Sequence, residues 1–398
     1  MRLSRHPAAI ALVLAVGAMM LFAIGLGRPA GLVFDESHYV PAARTLLALD
    51  GPANIEHPLL GKLAIAIGIA LFGDGPIGWR AMGVLAGGAS VAGAFALAWL
   101  ATRNLRTATL GGYLVAINQT LLVQARTAML DIYLGAFVLW GAVALVWAMT
   151  GPVERRGRRA ALAGVSLGCA VAVKWAAVPY VALACAVALA WPRPAGWRQR
   201  LAAPLLLGGV AVAVYLASFA PAFFYAGDAL TLPDLIPLQA RMLARQTQIL
   251  APHNYQSGWA SWPLMLRPIW YYYERDAGIM RGVLLIGNPV VMWGGLVAVG
   301  AGLVRARGPT FALAGLWLFS VVIYAIIPKS LGFYYYYHLS GIFIALVLAA
   351  MLPPRRGAPL WAAAAATVAF AWFYPILSGA PLADEQAFTR WMWFDSWR

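Results

Sequence analysis

Apolar positions along this chain neither alternate with polar ones nor recur every three or four residues; they run on in blocks. Eleven blocks cover roughly 8–27, 80–101, 108–124, 132–150, 160–174, 176–191, 201–220, 286–304, 309–327, 338–353 and 358–378. A hydrocarbon core about 30 Å thick takes roughly 20 helical residues, and in lipid only helices or closed barrels satisfy every backbone polar group. Without the period-two alternation of a barrel strand, the blocks predict membrane-crossing helices. The expected fold class is an all-α polytopic membrane protein, one domain over residues 1–398. The first block, flanked by Arg2 and Arg5 and lacking a small-residue cleavage pattern, is expected to remain as an anchor.

Composition agrees with lipid as the solvent. Hydrophobic residues make up 62% and charged residues 11% of the 398 positions, against about 25% charged in ordinary globular chains. A soluble two-domain protein is excluded. The net charge of +15 invites a nucleic-acid reading, but the placement of the arginines opposes it. Alternating the sides of successive helices collects Arg2, Arg5, Arg103, Arg106, Arg155, Arg156, Arg158, Arg159, Arg193, Arg198, Arg200, Arg305, Arg307, Arg355 and Arg356 on one side, with Glu154 alone among the acids. By the positive-inside rule that side is the cytoplasm, and the basic excess is a topology signal. Cys169 and Cys185 lie in apolar blocks without ligand spacing.

Two stretches on the opposite side interrupt the pattern, 28–79 and 221–285. The first holds short apolar segments at 38–49 and 58–73. Counting the second of these as a span would invert every later loop, so both are expected to lie along the membrane surface. The second stretch is dense in aromatics, with Arg267 between Leu266 and Pro268 in WPLMLRPIW; a cation so placed calls for an anionic partner.

The same outer side carries the candidate chemistry. Asp35 and Glu36 follow the first span directly in GLVFDESHYV, a place for a general base. His57 and Lys62 bracket the start of a helix in EHPLLGK, where an ammonium and free backbone donors suit a phosphate. Arg126 and Asp131 stand in QARTAMLD, either paired with each other or with Arg126 facing a ligand. Lys174 and Lys329 are isolated at the outer ends of other spans, and a cation there costs about 2.5–3.5 kcal/mol on insertion scales. One carboxylate with several cations suits group transfer from a lipid phosphate, which needs a base for the incoming hydroxyl and cations for the leaving group. A glycoside hydrolase wants two opposed carboxyl groups instead. HExxH, Walker, GxSxG and CxxC motifs are absent, and the sequon at Asn118 and Thr120 lies within an apolar block.

These motifs resemble a known set. FDESHY at 34–39, HPLLGK at 57–62, GWR at 78–80, QARTAMLD at 124–131 and VKW at 173–175 occur with HNYQSGWASWPLMLRPIWYYY at 253–273, IGNPVVMW at 286–293 and KSLGFYYYYHL at 329–339. Together they resemble the bacterial protein O-mannosyltransferase family, and more distantly the lipid A aminoarabinose transferases. The resemblance implies the C-type glycosyltransferase fold, with two juxtamembrane helices in the first outer loop. It also implies a polyprenyl-phosphate sugar donor, with mannose as the sugar, inversion at the anomeric carbon and no nucleotide sugar. By resemblance Asp35 and Glu36 are the catalytic acidic pair, with Asp35 the base, and Lys62 and Arg126 lie near the donor phosphate. Lys174, Arg267 and Lys329 join that phosphate set by position; His57, Asp131, Tyr271 and His338 are expected to support it. Leu59 stands where the family commonly has a second proline, and 221–285 is too short for the β-trefoil insert of the eukaryotic enzymes.

The expectation is a transferase of the cytoplasmic membrane, N-terminus inside, site and C-terminus outside. It would move a hexose to Ser or Thr of a polypeptide met near the secretion translocon, with lipids as neighbours, no nucleic acid, and a divalent ion left open. The rivals are transfer to a lipid or cell-wall glycan and, remotely, a secondary transporter.

Overall fold

The structure is a computed structural model that describes residues 6–191, 197–305, 307–327, 329–353 and 357–398. Arg2, Arg5, Arg193, Arg355 and Arg356 of the expected cytoplasmic set lie outside the described residues. The chain forms α1 (Pro7–Ala23), α2 (Glu36–Ala48), α3 (Leu60–Phe72), α4 (Pro76–Thr102), α5 (Leu105–Ala116), α6 (Gln119–Ala125), α7 (Leu130–Thr150), α8 (Arg156–Val173) and α9 (Val178–Ala190). It continues through α10 (Trp197–Ala217), α11 (Leu235–Gln246), β1 (Ile269–Asp276), β2 (Ile279–Leu285), α12 (Pro289–Arg305), α13 (Pro309–Val322), α14 (His338–Met351), α15 (Ala358–Leu377) and β3 (Pro381–Leu382).

By length and composition, α4, α7, the run Arg200–Phe224, the run Tyr334–Met351 and α15 are each long and apolar enough to cross a membrane. Their outer faces require lipid: Leu360 is 77%, Val368 70% and Leu205 69% exposed, surface that water would penalise at roughly 25 cal/mol per Å². The core is centred on α14, every residue of which from His338 to Ala349 is buried. Close packing replaces hydrophobic drive between the helices. At Gly164 and Gly168 of α8, an added Cβ would come within 2.5 Å of the Leu207 carbonyl oxygen and 2.6 Å of that of Ala211 in α10.

The helix ends sort into two groups. Asn104, Arg106, Leu352 and Gly357 line one cavity, and Ala101, Thr150, Trp191 and Gly308 line another. The loops that join α4 to α5, α7 to α8 and α14 to α15 therefore share one end, the arginine-rich one. The two long connections gather at the other end, where α2 and α3 form as expected. At 13 residues, α3 is about 20 Å long, too short to span.

One expectation needs correction. The block 108–124 is not one helix: it breaks at Ile117, and α6 restarts under Asn118. The Asn118 side chain accepts from the Thr120 amide and its Nδ2 donates to the Gly341 carbonyl at 2.9 Å. A break at membrane depth is tolerated because those groups are satisfied inside protein. The fold is predominantly helical as expected, and it adds one small sheet. Residues 269–285 form a β-hairpin, β1 antiparallel to β2, with β3 on the far edge. Ala277 and Gly278, at φ +50° and +81°, make the two-residue turn with positive φ at both positions that such a hairpin needs.

Candidate active site

The site grows from the turn that leads into α2. Phe34 takes a left-handed φ of +45°, a conformation worth about 1–3 kcal/mol of strain that the surroundings impose. Its ring stacks on Tyr271 at 4.7 Å and meets Tyr335 edge-on at 5.9 Å. The turn sends the two adjacent carboxylates apart. Glu36 goes inward, where its oxygens accept from Arg80 Nε and Nη2, both at 2.8 Å, from the Ala128 amide at 2.8 Å and from the Val33 amide at 2.9 Å. Both partners of this pair are 0% exposed. Arg80 spends its remaining donors on the carbonyls of Leu26, Pro29 and Gly31. The segment between α1 and α2 is thus wrapped around one guanidinium.

Asp35 goes the other way and stays half-buried. The Tyr39 hydroxyl donates to its Oδ2 at 3.3 Å. Burial raises the carboxyl above its ordinary value, with Lys174 and His38 opposing. Across from it Lys174 donates to both oxygens of Asp131, at 3.0 and 3.1 Å, and sits 4.9 Å from the Tyr336 ring and 5.1 Å from that of Tyr335. Lys329 donates to the Tyr336 hydroxyl at 3.2 Å. Gln124 Nε2 donates to the Tyr271 hydroxyl at 3.1 Å.

The chain has three lysines, Lys62, Lys174 and Lys329; Lys62 donates to the His57 carbonyl at 2.9 Å, and the charge of each of the three reaches the imidazole. Burial first, then Lys174, Lys329 and Lys62, hold that imidazole well below its usual value. His57 meets Tyr39 edge-on at 5.9 Å, which closes the circle back to Asp35.

Below this cluster lies an apolar cleft of about 650 Å³ between α9 and α13, floored by α4 and α7. Tyr180 and Phe319, 5.5 Å apart, line it, and Tyr324, at the end of the same helical run as Phe319, stacks on Tyr336 at 5.4 Å. An elongated apolar groove therefore runs toward the helix end at which Tyr324, Tyr336 and Lys174 meet.

The comparisons with known proteins meet that geometry. A family profile described as dolichyl-phosphate-mannose-protein mannosyltransferase matches residues 75–225, and one described as the C-terminal four TMM region of protein-O-mannosyltransferase matches 231–308. Between them the two span more than half of the chain. The chain belongs to the protein O-mannosyltransferase family. A polyprenol-phosphate-mannose–protein mannosyltransferase of Mycolicibacterium smegmatis is 27% identical, covering 98% of this chain and 92% of the relative. An undecaprenyl phosphate-alpha-4-amino-4-deoxy-L-arabinose arabinosyl transferase of Pseudomonas fluorescens is 30% identical over 45% of this chain and 34% of its own length. Among solved structures, the S. cerevisiae protein O-mannosyltransferase Pmt1-Pmt2 complex bound to the sugar donor superposes with a TM-score of 0.84 at 13% identity, covering 98% of this chain and 92% of that one. ArnT from Cupriavidus metallidurans bound to undecaprenyl phosphate gives 0.62 at 16% identity, covering 86% and 60%. At those identities the superpositions establish the fold, that of the C-type glycosyltransferases.

Within this mannosyltransferase fold the expected phosphate cations do not all meet. Lys62 is buried and donates to the carbonyls of Ala53, Asn54 and His57 at 3.0, 2.8 and 2.9 Å; burial lowers its ammonium to about 7, with Glu56 opposing. Arg126 does not pair with Asp131. It donates to the carbonyls of Phe22, Ile24, Gly25 and Ser378. Arg267 lies away from the cluster, on the carbonyls of Asn254, Ser396 and Arg398, over the Tyr255 ring at 5.4 Å. Lys329 alone of the three lysines faces an open space, a cavity of about 360 Å³ shared with Gln256, Ser257, Trp259, Trp262 and Tyr336. His338 is buried beside Gly135, with neither ring nitrogen hydrogen-bonded among the described residues. Residue-by-residue reading left Arg80, Tyr39, Tyr335 and Tyr336 unassigned. Arg80 had a signal, as a cation at the start of an apolar block; the tyrosines, which stand inside the motifs without a charge or spacing to single them out, had none.

Proposed function

We propose that this mannosyltransferase moves mannose from a polyprenyl-phosphate carrier to Ser or Thr hydroxyls of polypeptides on the non-cytoplasmic face of the cytoplasmic membrane. The observation that carries the reading is one half-open aspartate whose charge is felt by Lys174, itself held by Asp131 and set over the Tyr335 and Tyr336 rings. The apolar cleft between α9 and α13 takes the polyprenyl chain, which sets the phosphate at the Tyr335, Tyr336, Lys174 and Lys329 end.

Asp35 accepts the proton of the incoming hydroxyl as its oxygen attacks the anomeric carbon. The bond from that carbon to the phosphate oxygen breaks on the opposite side, with inversion, and the carrier phosphate leaves as an anion. Lys174 and Lys329 stabilise its charge; losing one such donor typically costs about 10²–10³ in rate. Asp131 holds Lys174 in place, and Tyr39 and Tyr271 fix Asp35 and the Phe34 turn. Glu36 takes a positioning part: with four donors on its oxygens it has no face left for substrate, and it holds Asp35 outward through Arg80. Lys62, Arg126 and Arg267 likewise anchor loop carbonyls, and His57 packs against Tyr39 and accepts from Lys62 through its carbonyl. The arginine-rich end faces the cytoplasm by the positive-inside rule, which puts Asp35 outside, where polypeptides emerge from the translocon.

The test is purified enzyme in lipid nanodiscs with polyprenyl-phosphate mannose, polyprenyl-phosphate glucose, a Ser/Thr peptide and a lipid-glycan acceptor, with and without EDTA. Mass analysis is expected to find one hexose on the peptide from the mannose donor. Product on the glycan alone would overturn the acceptor assignment.

A further inference from the structure

We infer that the cavity at the arginine-rich end of the bundle, between α1, α5, α14 and α15, binds one anionic glycerophospholipid of the adjoining leaflet. It lies at the opposite end of the helices from Asp35 and does not depend on the reading of that site. Its volume is about 800 Å³, inside the range of roughly 300–1,000 Å³ in which ligand pockets fall.

The cavity is two-faced in the manner of a lipid. Ile10, Leu14, Leu110, Ala349 and Ala363 supply apolar wall. At the deep end the Tyr113 hydroxyl shares a 2.6 Å hydrogen bond with Thr367, so the floor offers no uncommitted polar group. At the mouth stand Asn104 and Arg106. Arg106 is exposed and forms no ion pair among the described residues, and Arg103 beside it is exposed too. Asn104 Oδ1 accepts from the Arg106 and Thr107 amides, which leaves its Nδ2 donors uncommitted. From Arg106 to Tyr113 the helix rises about 10 Å, a depth that takes the upper part of an acyl chain while the phosphate stays at the mouth.

Charge complementarity decides the occupant. Basic pockets between helices on the positive side of a membrane protein favour anionic headgroups over zwitterionic ones. A single arginine contributes about fivefold to that preference. A peptide segment would need partners for its backbone along the apolar walls, and the cavity offers none.

The experiment is native mass spectrometry of the full chain delipidated and then titrated with phosphatidylglycerol, phosphatidylcholine of the same acyl chains, or polyprenyl phosphate. Wild type is expected to retain one phosphatidylglycerol about fivefold better than phosphatidylcholine. Arg106→Gln, a change on exposed surface, is expected to erase the preference, and Ala363→Phe, which fills the cavity, to lose the bound phospholipid with either headgroup. Equal retention of the two phospholipids by wild type, or variants that bind as wild type does, would overturn the assignment. So would polyprenyl phosphate displacing phosphatidylglycerol one for one, which would make the cavity a carrier site.

Discussion

At the arginine-rich end of the bundle Arg103, Arg106, Arg155 and Arg158 are exposed, whereas at the opposite end charges are tied by geometry. Glu36 and Arg80 form a buried bidentate pair, Asp131 holds Lys174, and Asp276 holds Arg281 at 3.1 Å. The contrast separates two uses of charge in a membrane protein. One end uses number: many cations near a lipid surface bias orientation whatever their rotamers. The other uses position, because a base and a leaving-group cradle work only when each group is held within about 0.5 Å of its productive place. Effects of substitution should therefore be large and distinct at the second end and small at the first.

The largest expected effect is at Asp35. Asp35→Asn is predicted to lower turnover by about 10²–10⁴-fold, the range for a general base, with donor binding kept; single-turnover assays and donor titration check it. The ionisation adds a second reading. Burial raises this carboxyl, so transfer should fall off on the acid side at a pH above the ordinary carboxylate value of about 3.9. For stability, a carboxyl raised on folding contributes fully below its unfolded value and loses that contribution as pH rises through its folded value. At neutral pH the ionised Asp35 is therefore a cost, and Asp35→Asn should melt slightly higher than wild type while being inactive. Lower melting together with lost activity would make Asp35 a structural residue.

Next in size is the neighbouring carboxylate, which should fail differently. Arg80→Leu leaves Glu36 ionised and buried, and breaking such a pair costs about 3–5 kcal/mol, read as a lower unfolding temperature in detergent. The double replacement Glu36→Leu with Arg80→Leu should lose less than the sum of the singles, since no lone charge remains. Additive losses would show that the two do not act as a unit. Between the lysines the same division recurs. Lys329→Gln should reduce donor affinity and turnover by about 10²-fold with little change in melting; Lys62→Gln, which leaves three carbonyls short of a donor, should do the reverse. Matching effects from both would collapse the distinction between a cradle and an anchor.

Much of this was legible from residue order, and the limits are physical. Long apolar blocks announce helices because lipid leaves the backbone no alternative, and the segments around 38–49 and 58–73 were readable as α2 and α3 from the charge asymmetry of later loops. The break at Asn118 was hidden, since its stabilising contact is with Gly341, 223 residues away. The hairpin was hidden because aromatic residues suit both a membrane interface and a strand, and only the Ala277–Gly278 turn decides. The adjacency of Asp35 and Glu36 was visible, but their opposite destinies depend on Phe34 and on Arg80. Lys62 and Arg126 were expected near a phosphate, yet both are occupied by carbonyls. Irregular loop backbone carries orphan acceptors that must be satisfied when buried, and in a chain so poor in polar side chains the cations serve them. Arg80 does the same for Leu26, Pro29 and Gly31.

The smallest predicted effect tests the other half of the comparison. Arg158 is exposed in the first turn of α8, at the arginine-rich end. Arg158→Gln removes one charge from many and leaves no buried group unpaired, so its stability change should stay within about 0.5 kcal/mol and its transfer rate should match wild type. The proper control is Arg159, one residue on. It is buried against the Trp147 ring at 4.0 Å and donates to the Trp147 carbonyl at 3.0 Å, so Arg159→Gln should cost noticeably more despite the same change in charge. If the two substitutions at this end prove equal, charge number governs both and position counts for nothing here. If Arg158→Gln alone abolishes transfer, the division between an end that orients the protein and an end that performs the chemistry fails.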